Sequence, residues 1–179
     1  MNFKTIKQEE IYKGKIISLV KDTIELPDGR TTTRDVVLHN GAAAIVPVDN
    51  QGNILFVRQY RHPAKEELIE IPAGTLEKGE DPLECAKREL EEETGYKASK
   101  FSYICSMYTA VGFCTEIIHI YLAKDLVKTN QNLDEDEFIT IEKYSLKEAI
   151  DMIFHGIIKD SKTIAGIFAT KELIENNKY

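Results

Sequence analysis

Residues 74–96 read GTLEKGEDPLECAKRELEEETGY and carry the signals of one short helix together with both of its ends. Asp81 followed by Pro82 is a typical helix start, because the aspartate can cap free amides and proline is tolerated at the first helical position. Glu84, three residues after the aspartate, could complete a capping box. Gly95 supplies the left-handed residue that ends such a helix. The stretch therefore predicts a helix of about three turns.

The side chains of this predicted helix divide into an apolar face and an acidic flank. The apolar face consists of three residues at helical spacing: Leu83, Ala86 and Leu90. At about 100° per residue, Glu89, Glu92 and Glu93 share one flank, with Glu93 at the edge of the apolar face. Like charges four residues apart cost about 0.2–0.5 kcal/mol, and acids in the last turn oppose the helix dipole. A solvated acidic face is one interpretation, but crowding at the buried edge instead favours a bound divalent cation with oxygen ligands.

The same stretch resembles the Nudix box, a motif of fixed spacing. The matching positions are Gly74, Glu80, Arg88, Glu89, Leu90, Glu92, Glu93, Gly95 and Tyr96. The resemblance implies a family of Mg²⁺-dependent hydrolases that split a diphosphate joining a nucleoside to another group. It also implies an α/β fold of the α+β kind, in which an α/β/α sandwich surrounds a mixed sheet.

The resemblance also implies which residues hold the metal. The expected Mg²⁺ ligands are the carboxylates of Glu89, Glu92 and Glu93 and the carbonyl of Ala73. Mn²⁺ could substitute for Mg²⁺. Gly74 would let the backbone approach closely whatever the helix binds. Glu80 is expected to orient the loop and Arg88 to organise the glutamates, without taking part in the chemistry.

The composition of the 179 residues limits the classes of protein to which the chain can belong. A hydrophobic fraction of 42% suffices for a core of one domain's size. The net charge of −7 argues against a nucleic-acid partner, which requires a basic face. No apolar run reaches membrane-spanning length and the start MNFKTIKQEE has no hydrophobic signal core, so we expect no membrane partner and a cytoplasmic location. The three cysteines lack the spacing of a disulfide framework or a zinc site.

We expect two segments, an N-terminal β appendage over residues 1–40 and a Nudix hydrolase domain over residues 41–179. Alternating apolar residues in 15–26, a turn at 27–29 and a returning strand from 31 predict a β-hairpin. A lone hairpin is marginally stable in water, so it must pack on something. In the ADP-ribose-hydrolysing branch of the resembled family this segment packs across a dimer partner, which implies a homodimer here.

The remainder of the second segment predicts strands followed by two helices. Apolar runs predict strands at 42–49 and 54–62, a strand enters the box from residue 66, and two more follow it. Ser145 and Glu148 form a capping box that opens the first closing helix. Asp160 begins the second, which we expect to cover the sheet.

Three further residues match positions that contact substrate in the resembled family. Arg61 follows a strand and is implied to bind the diphosphate, for which a guanidinium is suited. Arg34 lies in an arginine–acid–valine pattern, and Glu116 follows the glycine of the 110–112 corner. The ADP-ribose branch often has proline where Val111 stands, which leaves open another nucleoside diphosphate sugar or a dinucleotide as the small-molecule substrate.

A second acidic cluster, residues 132–137, precedes a predicted strand. A solubilising loop is the ordinary interpretation of such a cluster. In ADP-ribose hydrolases, however, a glutamate at this place handles the attacking water or a further metal. Both Glu135 and Glu137 are candidates, and the Glu-Phe-Ile pattern favours Glu137. The expected reaction is hydrolysis of ADP-ribose to AMP and ribose 5-phosphate, with a non-catalytic ADP-ribose sensor as the alternative from another class.

Overall fold

A computed structural model describes residues 2–176, and the outer ends of the two expected segments, residue 1 and residues 177–179, lie outside the described residues. In the described part, seven strands precede the first helix, and three further strands separate it from two closing helices. In chain order they are β1 (Lys4–Lys13), β2 (Ser18–Glu25), β3 (Thr31–Leu38), β4 (Ala42–Pro47), β5 (Asn53–Arg61), β6 (Glu66–Glu70), β7 (Ala73–Thr75), α1 (Pro82–Thr94), β8 (Tyr96–Tyr108), β9 (Ile117–Lys128), β10 (Ile139–Ser145), α2 (Leu146–Phe154) and α3 (Ser161–Glu175).

Helix α1 begins and ends where its capping residues predict. Asp81 has an extended backbone, and its carboxylate accepts hydrogen bonds from the amides of Leu83 at 2.9 Å and Glu84 at 3.3 Å. Gly95 follows the helix in the left-handed region with φ 66°. The Glu84 carboxylate accepts a bond from Lys87 Nζ at 2.7 Å on the exposed side of the first turn. Local sequence signals therefore determine this helix.

A mixed four-stranded sheet, in the order β7-β4-β9-β8, forms the centre of the second segment. Strand β4 runs parallel to β9, with Ala42 opposite Ile118, and antiparallel to β7, with Ala44 opposite Ala73. A second, antiparallel sheet has the order β10-β5-β6. The prediction of an α/β fold built on a mixed sheet is thus confirmed.

Alternation along β4 divides the core between two layers. Ala43 and Ile45 pack in one buried cluster with Leu90 of α1. Val46 points to the opposite face and packs in the larger cluster that contains Ile167 of α3. Because successive side chains of a strand point to opposite faces, the sheet is covered by helices on both sides. This arrangement is the α/β/α sandwich expected from the sequence.

The N-terminal segment is a three-stranded antiparallel sheet in the order β1-β2-β3. The predicted hairpin is β2–β3, paired from Ser18 opposite Leu38 to Glu25 opposite Thr31. Strand β1 was not predicted, and its pairing with β2 is interrupted by two register shifts that obscure the alternation of its side chains. Residues 2–41 form one compact unit together with residues 108–117, and residues 42–107 form another with 118–176. The boundary after residue 40 stays a prediction.

Both closing helices begin at their predicted capping residues. Ser145 Oγ accepts from the Glu148 amide while the Glu148 carboxylate accepts from the Ser145 amide, which completes the predicted capping box of α2. Asp160 caps α3 by accepting from the Thr163 amide at 2.9 Å. Within residues 2–176, none of the helices has the length and apolar character needed to cross a membrane.

Candidate active site

The end of helix α1 is joined to strand β7 through a buried glutamate. Glu93 is only 3% exposed, in keeping with its predicted place at the edge of the apolar face. Its Oε2 accepts a hydrogen bond from the Ala73 amide at 3.0 Å. Ala73 is in turn paired with Ala44 of the central sheet. The expected ligands Glu93 and Ala73 are therefore neighbours on a rigid part of the fold.

The surroundings of Glu89 and Glu93 destabilise the ionised forms of both carboxylates. Burial raises the pKa of Glu93 to about 8; the charge of Glu89 adds to this effect and the Ala73 amide opposes it. Burial likewise raises the pKa of Glu89, although the Arg88 guanidinium beside it acts in the opposite direction. Desolvation and mutual repulsion are both relieved by a cation placed between the carboxylates.

Gly74 brings the backbone against the Glu89 carboxylate. A Cβ atom added at Gly74 would overlap the Glu89 carboxylate carbon and both of its oxygens. The Glu89 carboxylate can therefore occupy this position only because residue 74 has no side chain. The backbone thus approaches Glu89 closely, and its approach to a group bound by the helix stays a prediction.

Arg88 organises the surrounding acids by donating to several of them. Its Nη1 lies 2.6 Å from Glu89 Oε1 and 3.0 Å from Glu92 Oε2. Its Nε donates to Glu80 Oε1 at 3.1 Å, and Glu80 Oε2 accepts from the Glu77 amide at 2.8 Å. These are the contacts expected if Arg88 orders the glutamates and Glu80 orders the loop.

The donor chemistry of the flank fits a hard divalent cation, since carboxylate oxygens are the ligands such ions prefer. Among residues 2–176, however, no three acidic, histidine or cysteine side chains converge as placed to hold one ion. The reason is that Arg88 holds Glu89 and Glu92, while Glu93 is bonded to the Ala73 amide. Glu89 and Glu92 would have to turn from Arg88 to share an ion with Glu93.

Arg61 and Glu137 lie at the same end of the second sheet. The ladder between β5 and β10 closes with Gln59 opposite Ile139, and Arg61 and Glu137 each stand two residues beyond that pair. The charge of Glu137 raises the pKa of both Glu89 and Glu93, and the charge of Arg61 lowers the pKa of Glu93. Such effects act over a short range, so both charges lie near the acidic flank of α1.

Glu137 and Glu135 differ in their surroundings. Glu137 is partly buried, and its Oε2 accepts from the Asp134 amide at 3.3 Å. Glu135 is exposed. The structure thus brings Glu137 to the α1 flank and favours it over Glu135, while the chemical role of either residue stays a prediction.

Arg34 and Glu116 belong to the N-terminal compact unit. Arg34 is exposed on β3, where its Nη1 donates to the Thr33 carbonyl at 2.9 Å. Glu116 Oε1 lies 3.4 Å from His39 Nδ1. Their contacts with substrate stay predictions that rest on the family resemblance.

Arg61 has a buried partner, Glu70, that was not predicted from the sequence. Arg61 Nε and Nη2 donate to the two carboxylate oxygens of Glu70 at 2.7 and 2.8 Å, and Glu70 is 2% exposed. Lys162 Nζ also donates to Glu70. The one signal in the sequence was an acid within the otherwise apolar run LIEIPA that precedes the box.

Two family models cover most of the chain. Residues 38–165 match the model described as NUDIX domain. Residues 3–37 match the model described as nucleoside diphosphate sugar hydrolase N-terminal domain. The second match coincides with the three-stranded sheet at the N-terminus.

Several known proteins resemble the whole chain. It is 46% identical over 166 residues to the methanol dehydrogenase activator of Bacillus methanolicus, covering 92% of this chain and 90% of that protein. It is 42% identical over 179 residues to the ADP-ribose pyrophosphatase of Bacillus subtilis (strain 168), covering 98% and 97%. A crystal structure of an ADP compounds hydrolase superposes with a TM-score of 0.89 over 99% of this chain and 97% of that one. At 19% identity, that superposition shows the fold alone.

Proposed function

The chain belongs to the Nudix family of hydrolases, and from this membership we propose that it hydrolyses ADP-ribose to AMP and ribose 5-phosphate. The observation that carries the proposal is the pair of crowded carboxylates, half-buried Glu89 and buried Glu93, with the charges of Arg61 and Glu137 close enough to act on them. The 42% identity to an ADP-ribose pyrophosphatase over nearly the whole chain supports this choice of substrate.

The proposed cofactor is Mg²⁺, for which Mn²⁺ could substitute. The residues that would hold it are the carboxylates of Glu89, Glu92 and Glu93 and the carbonyl of Ala73. When bound, the ion supplies positive charge that offsets the diphosphate charge and increases the acidity of water. Arg88 keeps the acidic flank ordered in the absence of the ion, since it already holds Glu89 and Glu92.

The remaining groups act on the substrate and the attacking water. Arg61 keeps 37% of its side chain exposed while bonded to Glu70, so its guanidinium can also bind diphosphate oxygens. Glu137 orients the water and accepts its proton as the water oxygen bonds to one phosphorus. The bond from that phosphorus to the bridging oxygen breaks, and this oxygen leaves on the other phosphate. Arg34 and Glu116 are proposed to contact the substrate.

The test is hydrolysis of ADP-ribose in oxygen-18 water, with the products identified by mass spectrometry. We expect AMP and ribose 5-phosphate, one of which carries the label, and near-complete loss of turnover in Glu93→Gln. Wild-type turnover by Glu93→Gln at saturating Mg²⁺ would show that the site is misassigned. Stoichiometric binding without turnover under Mg²⁺ or Mn²⁺ would instead support the ADP-ribose sensor.

We further propose that the enzyme is a homodimer whose interface includes β1. Every residue of this ten-residue strand is exposed in the single chain. The strand exposes the large apolar side chains of Ile6, Ile11 and Tyr12, and Phe3 just before it is exposed as well. Such an apolar surface is typical of a protein interface. Light scattering across a range of concentrations should give twice the chain mass, and a fully active monomer would refute the proposal.

We propose a cytoplasmic location, because the cysteines of the chain are free thiols. Cys85, Cys105 and Cys114 are free. Burial raises the pKa of the Cys85 thiol to about 12, which makes that thiol unreactive. Free thiols suit a reducing compartment, and fractionation of the native cells would test this location.

A second candidate substrate is another nucleoside diphosphate sugar or a dinucleotide. Val111, at the corner where the ADP-ribose branch often has proline, is 81% exposed. The description of the N-terminal family model also names nucleoside diphosphate sugars in general. Values of kcat/KM over a panel of these compounds decide between the candidates. The name of the Bacillus methanolicus relative adds one assay, the rate of a methanol dehydrogenase with and without this protein.

A further inference from the structure

Arg61, Glu70, Lys162 and Asp160 form a continuous chain of charges that we call the inner ion cluster. Arg61 binds both oxygens of Glu70 through two hydrogen bonds, at 2.7 and 2.8 Å. Lys162 Nζ donates to Glu70 Oε2 and lies 3.1 Å from Asp160 Oδ2. Glu70 and Lys162 are 2% and 9% exposed, so this is an interior cluster with Arg61 at its exposed end.

The first turn of α3 fixes this cluster to the backbone beside the site. Asp160 Oδ2 accepts from both the amide and the hydroxyl of Thr163, at 2.9 and 2.6 Å. The same hydroxyl accepts from the Ile71 amide at 2.9 Å. Helix α3 therefore holds Glu70 through Lys162 and the next residue, Ile71, through Thr163. Ala73, whose amide bonds Glu93, follows two residues later.

The charges of the cluster balance only when Lys162 is present. Arg61 and Lys162 carry two positive charges, and Glu70 and Asp160 carry two negative charges. Loss of the lysine would leave a net negative charge beside the diphosphate and would leave Glu70 held from one side only. A buried carboxylate that loses one of its cations is strongly destabilised and moves toward the remaining one or toward water. In either case the Arg61 guanidinium shifts or becomes less available to an anion.

On the basis of the function proposed above, we propose that Lys162 is a positioning residue, acting through Glu70, that holds the Arg61 guanidinium in place for the substrate diphosphate. A purely structural ion pair would affect stability and leave the kinetics of the folded enzyme unchanged. The two roles therefore predict different results when Lys162 is replaced. Only a positioning role changes the Michaelis constant of the folded enzyme and the solvent exchange of the Arg61 Nε–H.

The kinetic test compares Lys162→Met with Lys159→Met. Lys159 makes an exposed bond with Glu66 of β6 at 2.9 Å, so the control removes the same charge and the same kind of pair at the surface. With saturating Mg²⁺, we expect Lys162→Met to raise the KM for ADP-ribose about tenfold or more while kcat changes less than about threefold. Lys159→Met should keep both constants. If Lys162→Met does not fold, the test uses Lys162→Gln, which retains a donor for Glu70 but lacks the charge. We expect the same changes in KM and kcat for this variant.

The second measurement requires no substrate. The Nε–H signal of Arg61, identified by its loss in Arg61→Lys, should exchange slowly with solvent in the wild type because it is bonded to Glu70. In folded Lys162→Met we expect this Nε–H to exchange with solvent about tenfold faster than in the wild type. That change corresponds to the loss of about one charge-assisted hydrogen bond. A wild-type value of either KM or exchange rate in the folded variant would overturn the inference. Absence of ADP-ribose hydrolysis in the wild type would instead refute the proposed function.

Discussion

Replacing Gly74 with alanine should separate the fold of this protein from its site. The added Cβ would overlap the far end of the Glu89 side chain. Gly74 is not among the described residues with positive φ, so alanine introduces no backbone strain there. Because Glu89 is flexible at that end, it can swing away and let the backbone keep its path. The substitution therefore displaces one expected metal ligand and little else.

The two consequences of this displacement differ greatly in size. Swinging away costs the 2.6 Å bond between Glu89 and Arg88, a charge-assisted hydrogen bond of about 1.5–3 kcal/mol at most, and Glu89 regains hydration in exchange. We therefore expect a loss of about 1 kcal/mol in the free energy of unfolding. Loss of a preorganised group that stabilises the transition state costs about 100-fold to 1,000-fold in rate. Activity should thus fall at least about 100-fold in a protein that remains folded.

Urea unfolding and the kcat/KM for ADP-ribose, measured across a range of Mg²⁺ concentrations, test both consequences. The matched control is Gly166→Ala in α3, whose Cβ would meet Val46 Cγ2 at 3.0 Å and Ile71 Cδ1 at 3.1 Å. This control changes core packing and hence stability, but it should keep kcat/KM within about threefold of wild type. Wild-type activity in Gly74→Ala, or its failure to fold, would refute the placement of the Glu89 carboxylate.

Three further predictions follow from single contacts. Burial raises the pKa of Glu70 from its usual 4.5, but Arg61 and Lys162 outweigh burial and lower it to about 2. The stability that Glu70 contributes is thus present above pH 4.5 and is lost as the pH falls towards 2, by about 3 kcal/mol in total. Urea titrations at a series of pH values should show that the free energy of unfolding depends less on pH in Glu70→Gln than in the wild type. Asp81→Ala should lower the free energy of unfolding by about 1 kcal/mol, because the α1 amides lose their cap. Glu137→Gln should reduce kcat by about 100-fold or more, whereas Glu135→Gln should leave it near wild type; the reverse order in a steady-state assay would reassign the base.

The parts of the fold that could be predicted from the sequence are those with local causes. Asp81 and Gly95 determine the ends of α1 within one turn each, and the predicted hairpin follows from alternation around a short turn. Strand β1 was missed because its bulges break the alternation that identifies a strand. Residues 108–117 join the N-terminal unit from far along the chain, which no local pattern indicates.

In the site, too, residues with local causes could be predicted and residues with distant partners could not. Glu89 and Glu93 were predicted because they lie on one helix, where spacing alone places them together. The role of Glu70 was missed because its partners come from β5 and from α3, with Lys162 separated from it by 92 positions. In the sequence, Glu70 is visible only as an acid that interrupts an apolar run. The structure is needed to show which cations share its charge.

The proposed chemistry depends on binding of a divalent cation by the acidic flank of α1, which Mg²⁺ titration calorimetry measures. The comparison is between the wild type and Glu89→Gln/Glu93→Gln, each first freed of metal. We expect saturable binding to the wild type, with heat that disappears in the double variant while both proteins remain folded. Equal binding by the two proteins, or no saturable binding by the wild type with an ADP-ribose analogue present, would contradict it.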